Sequence, residues 1–274
     1  MPPADSPRIV AIANQKGGVG KTTTAVNLAA ALALAGERVL VIDLDPQGNA
    51  STALGMDWQQ RQWTIYHVLC GDCRLAEAAM PTGVDWLTCV PATVDLAALE
   101  VELSESSGRE LLLREILAQL DGFLANRRPG IVLIDCPPAL GLLTLNALAA
   151  ADSLLVPLQA EFLALEGLSH LLRTVDSVTA RINPALFVDG VLMTMVDRRN
   201  NLCSAVVDDA RSYLGDLVYR TEIPRNIRLS EAPSHGMPVA VYDPRCAGAQ
   251  AYAALADEFL ARHRAWQQGS HRHG

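Results

Sequence analysis

Two kinds of segment alternate along this chain. Short apolar runs of strand length are followed by longer stretches in which apolar residues recur at helical spacing. The predicted strands are residues 8–13, 38–42, 86–90, 131–134, 154–157, 188–195 and 217–223. The predicted helices are residues 22–35, 64–69, 109–124, 163–182, 201–214 and 248–266. This alternation is typical of an α/β fold with a doubly wound, mainly parallel sheet flanked by helices.

Length and composition favour a single domain. The chain has 274 residues, 50% of them apolar, and neither an internal repeat nor a long linker divides it. We therefore predict one domain over residues 1–274, with disordered tails at residues 1–7 and 267–274.

The net charge of −8 argues against a polyanion-binding surface over the whole molecule, so any contact with nucleic acid has to be a local patch. The N-terminus does not resemble a secretion signal, and no apolar run approaches the length of about 20 residues that spans a bilayer. We expect a cytoplasmic protein with no membrane partner.

Only two of the 22 basic residues are lysines, and both lie in one glycine-rich segment that reads KGGVGKTT from Lys16 to Thr23. Arginine cannot replace lysine where a compact ammonium has to sit against phosphate oxygens. The segment follows a predicted strand and opens a predicted helix, so that backbone N–H groups and the helix dipole can face an anion. The predicted phosphate-binding loop comprises Gly17, Gly18, Val19, Gly20, Lys21, Thr22 and Thr23.

Individual roles follow from this loop geometry. Lys21 is predicted to reach the β- and γ-phosphates of ATP, and the Thr22 hydroxyl to ligate Mg²⁺. Thr23 is expected to contact the α-phosphate. The common loop pattern has a glycine where this chain has Gln15, and a second lysine, Lys16, heads the loop instead. The sequence therefore predicts ATP and Mg²⁺ as ligands.

Carboxylates follow two of the predicted strands at the edge where ligands sit in doubly wound sheets. Asp135 comes directly after the apolar run 131–134, and Asp43 and Asp45 follow the run 38–42. Asp135 suits the water shell of Mg²⁺, because a buried strand fixes its position. Asp45 is better placed to orient an attacking water, and Asp43 is expected to support either the metal or the loop.

Five motifs together resemble the ParA/Soj ATPases of bacterial chromosome and plasmid partition. They are the loop KGGVGKTT, VIDLDPQGNA at 41–50, LIDCPP at 133–138, LGLLTLNAL at 140–148 and IPRNIRLSEAPSHG at 223–236. The resemblance covers about residues 9–260. The loop alone indicates only the wider deviant-Walker class of P-loop ATPases, which includes MinD and the nitrogenase iron protein, and the other motifs narrow it to ParA. With so few residues before the loop, the chain resembles the short form that lacks a helix-turn-helix domain.

The resemblance implies an ATP-dependent homodimer in which Lys16 reaches the partner's nucleotide. By position, Asp45 matches the residue that the family needs for hydrolysis, and Asp135 matches the second carboxylate of its metal site. The implied catalytic residues are Lys16, Lys21 and Asp45. It implies slow hydrolysis stimulated by a ParB-type centromere-binding protein, and association with the nucleoid through double-stranded DNA bound without sequence preference. By position, the adenine contacts are Met195, Pro224 and Asn226, and the DNA contacts are Arg199 and Arg228.

Other functions remain open at this point. A MinD-like membrane-cycling ATPase would need a basic amphipathic helix at its end, whereas residues 251–266 are alanine-rich and carry acids. A metal-cluster carrier would use Cys70 and Cys73, but nothing else lies at cluster-ligand spacing, which favours a structural or incidental role for this pair. Residues 196–246 contain seven arginines and seven acidic residues, so a DNA-binding patch could form only if the arginines cluster in the folded protein.

Overall fold

The computed structural model of the protein describes residues 6–103, 106–120, 128–161 and 164–270. Its strands are β1 (Arg8–Ile12), β2 (Val39–Asp43), β3 (Met80–Pro81), β4 (Leu87–Val90), β5 (Ile131–Asp135), β6 (Ser153–Gln159) and β7 (Phe187–Thr194). They form one sheet in the order β3, β4, β2, β5, β1, β6, β7, in which only the β3–β4 pair is antiparallel. The predicted α/β class with a mainly parallel sheet is confirmed.

Helices cover both faces of this sheet. They are α1 (Lys21–Leu34), α2 (Asn49–Ala53), α3 (Ile65–Cys70), α4 (Leu75–Ala78), α5 (Leu99–Glu102), α6 (Leu112–Leu117), α7 (Leu142–Ala150), α8 (Ala164–Arg181), α9 (Asn201–Leu214), α10 (Ile227–Glu231), α11 (Val239–Tyr242) and α12 (Ala247–Ser270). Helices α1 and α12 pack against each other in the apolar cluster on one face. Helices α3 and α6 to α9 contribute to the cluster on the other face.

Burial on both faces explains why the central strands are continuous apolar runs. Every residue of β2 and β5 is buried, and the two strands lie in register side by side. A parallel strand covered on both sides has no solvent face on which polar residues would alternate. The carboxyl ends of β1, β2 and β5 therefore meet at one edge, where Asp43 and Asp135 are register partners.

The predicted strand at 217–223 is wrong. A 3₁₀ turn over Gly215–Leu217 opens this segment, which is joined to β7 by one isolated bridge, between Val218 and Val191. The backbone N–H groups of Arg220 and Thr221 donate to the carboxylate of Glu258 on α12, each at 2.9 Å. The side chain of Glu258 thus accepts hydrogen bonds from N–H groups of this segment, which are then not available for a continuous strand ladder.

Two helix boundaries also differ from the prediction. The segment predicted as one helix over 109–124 begins as a 3₁₀ turn, Arg109–Leu111, and continues as α6. Its last predicted positions lie outside the described residues, as does residue 163 before α8. Helix α12 runs on through 267–270, which were predicted to be disordered, whereas 1–5 and 271–274 lie outside the described residues. No described helix is long and apolar enough to cross a bilayer.

Candidate nucleotide site

A buried asparagine anchors the loop between β1 and α1. The Nδ2 of Asn14 donates to the carbonyl of Pro157 on β6 at 2.8 Å, and its Oδ1 accepts the N–H of Lys16 at 3.0 Å. One side chain therefore ties the start of the loop to the neighbouring strand. Asn14 was not among the predicted site residues, although a single polar residue directly after an apolar strand was an available signal.

The loop itself needs glycine at two positions. Gly18 and Gly20 have φ values of +76° and +88°, in the left-handed region where a Cβ causes strain. Gly20 is the N-cap of α1 and makes no side-chain cap, so the first N–H groups of that helix lie next to the loop. This geometry suits the anion cradle predicted here, which stays a prediction.

Lys21 is folded back over the loop. It is only 7% exposed, and its Nζ donates to the carbonyl of Lys16 at 3.0 Å. Burial lowers the pKa of Lys21, while the negative charge of Asp135 opposes this change. A partly desolvated ammonium in a glycine-rich loop is suited to hold phosphate oxygens.

A second clamp, also missed by sequence, comes from the end of β7. The Oγ1 of Thr194 donates to the carbonyl of Val19 at 2.8 Å. Val19 is buried, whereas Thr22 and Thr23 are half-buried in the first turn of α1. The loop is therefore fixed by β6 through Asn14 and by β7 through Thr194 before any ligand arrives.

Asp135 is the unusual carboxylate of the site. It is fully buried, and neither of its oxygens has a hydrogen-bond partner of standard geometry among the described residues, although the side chain of Thr22 lies close enough to lower its pKa by hydrogen bonding. Burial raises its pKa well above the usual value, and the charge of Asp43 adds to this effect, whereas Thr22 and Lys21 act in the opposite direction. A buried carboxylate without a partner is costly, and this one fits a cation that the chain alone does not provide.

Asp43 lies opposite Asp135 in the sheet but is fully engaged. Its oxygens accept the N–H and the hydroxyl of Ser51 at 2.8 and 2.6 Å and the N–H of Asp45 at 3.2 Å. Burial raises the pKa of Asp43 to about 6 despite these bonds. Of the two roles left open by the sequence, the contacts favour support of the loop over ligation of a metal.

Asp45 lies in the loop after β2 and is 7% exposed. Its Oδ1 accepts the N–H of Gln47 at 2.9 Å, and its charge acts on the pKa of Lys21, which places the two groups near each other. Within the described ranges, no three His, Cys, Asp or Glu side chains form a metal cage. Mg²⁺ needs no such cage, because it is usually held by one or two protein groups together with substrate phosphates and water.

A cavity of about 340 Å³ opens next to the loop and brings together all three predicted adenine contacts. Met195, Pro224 and Asn226 line it, together with Gly20 and Thr23 of the loop. Its size lies in the range of ligand pockets. The geometry thus places a base-sized cavity directly beside the phosphate loop.

Backbone and helix contacts shape this cavity. Met195 has a φ of +53°, an uncommon conformation for a residue with a side chain that often marks a functional site. The Oδ1 of Asn226 accepts the N–H of Arg228 at 2.9 Å and caps α10. Tyr252 of α12 also lines the cavity, and its hydroxyl lies 3.2 Å from that of Thr24. Sequence reasoning had no signal for Tyr252, because it comes from the last helix.

The remaining predicted residues lie outside this centre. Lys16 is half exposed and forms an ion pair with Glu161. Arg199 is exposed, and its guanidinium makes two hydrogen bonds of 2.9 Å to Asp197. Arg228, at the start of α10, forms ion pairs with Glu231 at 2.7 Å and with Asp243 at 3.3 Å.

The cysteine pair shows no sign of activation. Cys70 is exposed and Cys73 is half-buried, and both are free thiols. Burial is the largest influence on each thiol and raises its pKa, which disfavours the reactive thiolate. The structural or incidental interpretation of this pair is retained.

Comparison with known proteins adds independent information. A family model described as an AAA domain matches residues 7–188. The chromosome partitioning protein ParA of Caulobacter vibrioides is 53% identical over 257 residues, which cover 94% of this chain and 95% of that protein. The sporulation initiation inhibitor protein Soj of Bacillus subtilis is 48% identical over 254 residues, which cover 93% of this chain and 98% of that protein.

A solved structure has the same fold over nearly the whole chain. The crystal structure of cobyrinic acid a,c-diamide synthase from Mycobacterium smegmatis with bound ADP and magnesium has a TM-score of 0.81 at 40% sequence identity, and the match covers 96% of both chains. This chain belongs to the ParA/Soj family of partition ATPases.

Proposed function

We propose that this chain is an ATP-driven switch that dimerises with ATP bound, binds DNA as the dimer and is reset by slow hydrolysis. The observation that carries the nucleotide part is the buried Asp135, whose oxygens lack a hydrogen-bond partner of standard geometry among the described residues and which lies close to Lys21 and Thr22. The partition part rests on relatives named as chromosome partitioning proteins. In this proposal a ParB-type protein stimulates the reset, and DNA binding places the chain on the nucleoid.

Binding uses the two halves of the site together. The N–H groups of the loop and Lys21 hold the β- and γ-phosphates, and the adenine enters the cavity lined by Met195, Pro224 and Asn226. Thr22 and Asp135 are the residues that would hold Mg²⁺, directly or through its water shell. When bound, the cation neutralises charge on the phosphate oxygens.

Hydrolysis of ATP to ADP and phosphate needs an oriented water. Asp45 is suited to this role because its backbone loop is fixed and its Oδ1 is already held by the N–H of Gln47. Lys16 of one protomer acts on the nucleotide of its partner, where an ammonium stabilises the charge of the transferred phosphoryl as an arginine finger does. The complete site therefore requires two chains.

DNA binding uses Arg199 and Arg228, whose present partners are carboxylates on the surface. Exposed ion pairs of this kind are worth about 0–1 kcal/mol, so DNA phosphates can replace them. Two arginines on each protomer give a dimer four phosphate contacts. At a slope of about −0.9 per contact, affinity should fall on the order of 100-fold between about 50 and 200 mM salt.

The test is binding of a labelled duplex of arbitrary sequence with ATP, with ADP and without nucleotide, at several salt concentrations. Light scattering on the same samples gives the mass of the species. We expect DNA binding only with ATP, by a dimer, with a steep salt dependence. A monomer that binds DNA equally in all three states contradicts the switch. Pelleting with anionic vesicles in ATP, without DNA binding, would favour a MinD-like membrane-cycling ATPase.

The position of α12 bears on that alternative. Tyr252, Leu255 and Phe259 are buried in the apolar cluster that α12 shares with α1. A helix whose apolar face is used for packing has no comparable face left for a lipid surface. The contacts therefore favour DNA over a membrane as the matrix.

A further inference from the structure

The lysine that heads the phosphate loop is held by a carboxylate of its own chain. The ammonium of Lys16 forms an ion pair with Glu161, which lies two residues after the end of β6. The two residues are separated by 145 positions in the sequence. The contact is therefore produced by the fold and not by local geometry.

Only the side chain of Lys16 is free to change position. Its N–H is bound to Asn14 and its carbonyl accepts the Nζ of Lys21, each at 3.0 Å. Asn14 is in turn fixed to the carbonyl of Pro157. Reaching a second protein molecule therefore means rotating the lysine side chain away from Glu161, with the loop unmoved.

The exposure of the two partners sets the strength of this contact. The side chain of Lys16 is 52% exposed and that of Glu161 is 34% exposed, so water and salt weaken their attraction. Exposed pairs of this kind change an equilibrium constant by roughly 1.4- to 5-fold. The ion pair is strong enough to bias the side chain and weak enough to break when a better partner arrives.

We propose that Glu161 is a positioning residue that holds Lys16 in the monomer and thereby opposes ATP-dependent dimerisation. This inference rests on the proposed function, because a lysine that acts on the partner's nucleotide has to leave its own carboxylate. A symmetric dimer requires two such pairs to break. The factor that one pair contributes to the dimer dissociation constant is therefore squared. Removing Glu161 is expected to tighten the ATP dimer by roughly 2- to 30-fold.

The first test uses the monomer and is independent of dimerisation. Lys16 and Lys21 are the only lysines, so a protein labelled with ¹³C,¹⁵N-lysine gives two side-chain signals by NMR. The variant K16R removes one signal and thereby assigns both. Without nucleotide, Glu161→Gln and Glu161→Ala should shift the Lys16 signal and leave that of Lys21 in place.

Glu166 provides the matched control. It lies on α8, five positions further along the chain, and is exposed. Glu166→Gln removes the same charge and should move neither lysine signal. An unchanged Lys16 signal in both Glu161 variants, or an equal shift in Glu166→Gln, would overturn the ion pair as a holding contact.

The second test is the dimer dissociation constant with ATP, measured by sedimentation for wild type, Glu161→Gln and Glu166→Gln. We expect tighter dimers only for Glu161→Gln, and the gain should shrink at high salt. Unchanged or weaker dimers of that variant would overturn the opposing role. If wild type stays monomeric with ATP, the proposed function fails, and the role of Glu161 in opposing dimerisation fails with it. The NMR experiment still tests whether the ion pair between Lys16 and Glu161 forms in the monomer.

Discussion

Replacing Asp135 by a neutral residue should raise the stability of the ligand-free protein and lower that of the protein with ATP and Mg²⁺, each relative to wild type. Asp135→Asn keeps the shape of the side chain and removes the charge. In wild type the carboxyl is fully buried, its oxygens lack partners of standard hydrogen-bond geometry among the described residues, and burial raises its pKa. An unpaired buried polar group costs about 1–3 kcal/mol, and a charged one more. The amide leaves its own polar atoms unpaired, so the difference between the two proteins comes from the charge alone, and we expect the ligand-free variant to be more stable by at least about 1 kcal/mol at neutral pH, or about 2 °C in Tm for a chain of this size.

The sign of the pH dependence follows from the raised pKa. In the folded protein Asp135 keeps its proton to a higher pH than in the unfolded chain, where the pKa has the ordinary value of 3.8. Above that pH the folded state binds more protons, so the stability of wild type falls as the pH rises, until the folded pKa is passed. This contribution changes by up to about 1.4 kcal/mol per pH unit and is absent in Asp135→Asn. The advantage of the variant should therefore widen as the pH rises above 3.8, until the folded pKa is passed.

Thermal unfolding with and without Mg²⁺ and ATP measures both effects. At a ligand concentration 100 times its Kd, wild type should gain about 2.7 kcal/mol, and Asp135→Asn much less, so that the order of the two Tm values reverses. Asp43→Asn is the matched control, because Asp43 is equally buried but accepts three hydrogen bonds. It should lose stability without ligand. An Asp135→Asn protein with a Tm equal to or below that of wild type at pH 7, and no widening as the pH rises above 3.8, would refute the reasoning.

Three further predictions concern single steps of the cycle. Lys21→Ala should lose ATP binding by at least 10-fold in titration calorimetry, because the phosphates lose a partly buried ammonium; wild-type affinity would contradict the loop assignment. Asp45→Ala should bind ATP and remain dimeric in light scattering while its phosphate release falls at least 10-fold; a wild-type turnover rate would remove Asp45 from catalysis. Arg228→Ala should weaken DNA binding several-fold in anisotropy and reduce the salt slope while dimerisation is kept, whereas the exposed Arg173→Ala on α8 should change neither; equal effects of both would place the DNA patch elsewhere.

Much of the phosphate site could be predicted from sequence because its determinants are local. The order of strand, glycine-rich loop and helix is contiguous from Arg8 to Leu34, and the φ values of Gly18 and Gly20 agree with the reason for having glycine there. A strand buried on both faces has to be apolar, so Asp135 was recognisable as a polar residue at its end. These features could be predicted because the residues that determine them are neighbours in the sequence.

Contacts between distant segments could not be predicted in the same way. The sequence presents Asp43 and Asp135 as similar strand-end carboxylates, yet Ser51 donates two hydrogen bonds to Asp43, whereas Asp135 has no partner of standard geometry among the described residues. The segment 217–223 has the composition of a strand, but Glu258 takes two of its N–H groups. Such outcomes depend on which helix packs over which strand edge.

The sequence by itself determined the fold class, the phosphate loop and the position of the carboxylates, because these depend on periodicity and on neighbours in the chain. Only the tertiary structure decided the partners of the charged groups. It closed a cavity from Met195, Pro224 and Tyr252, and it paired Lys16 with Glu161 across 145 positions. Charge pairing acts over a few ångströms in space, and spacing along the sequence does not report that distance.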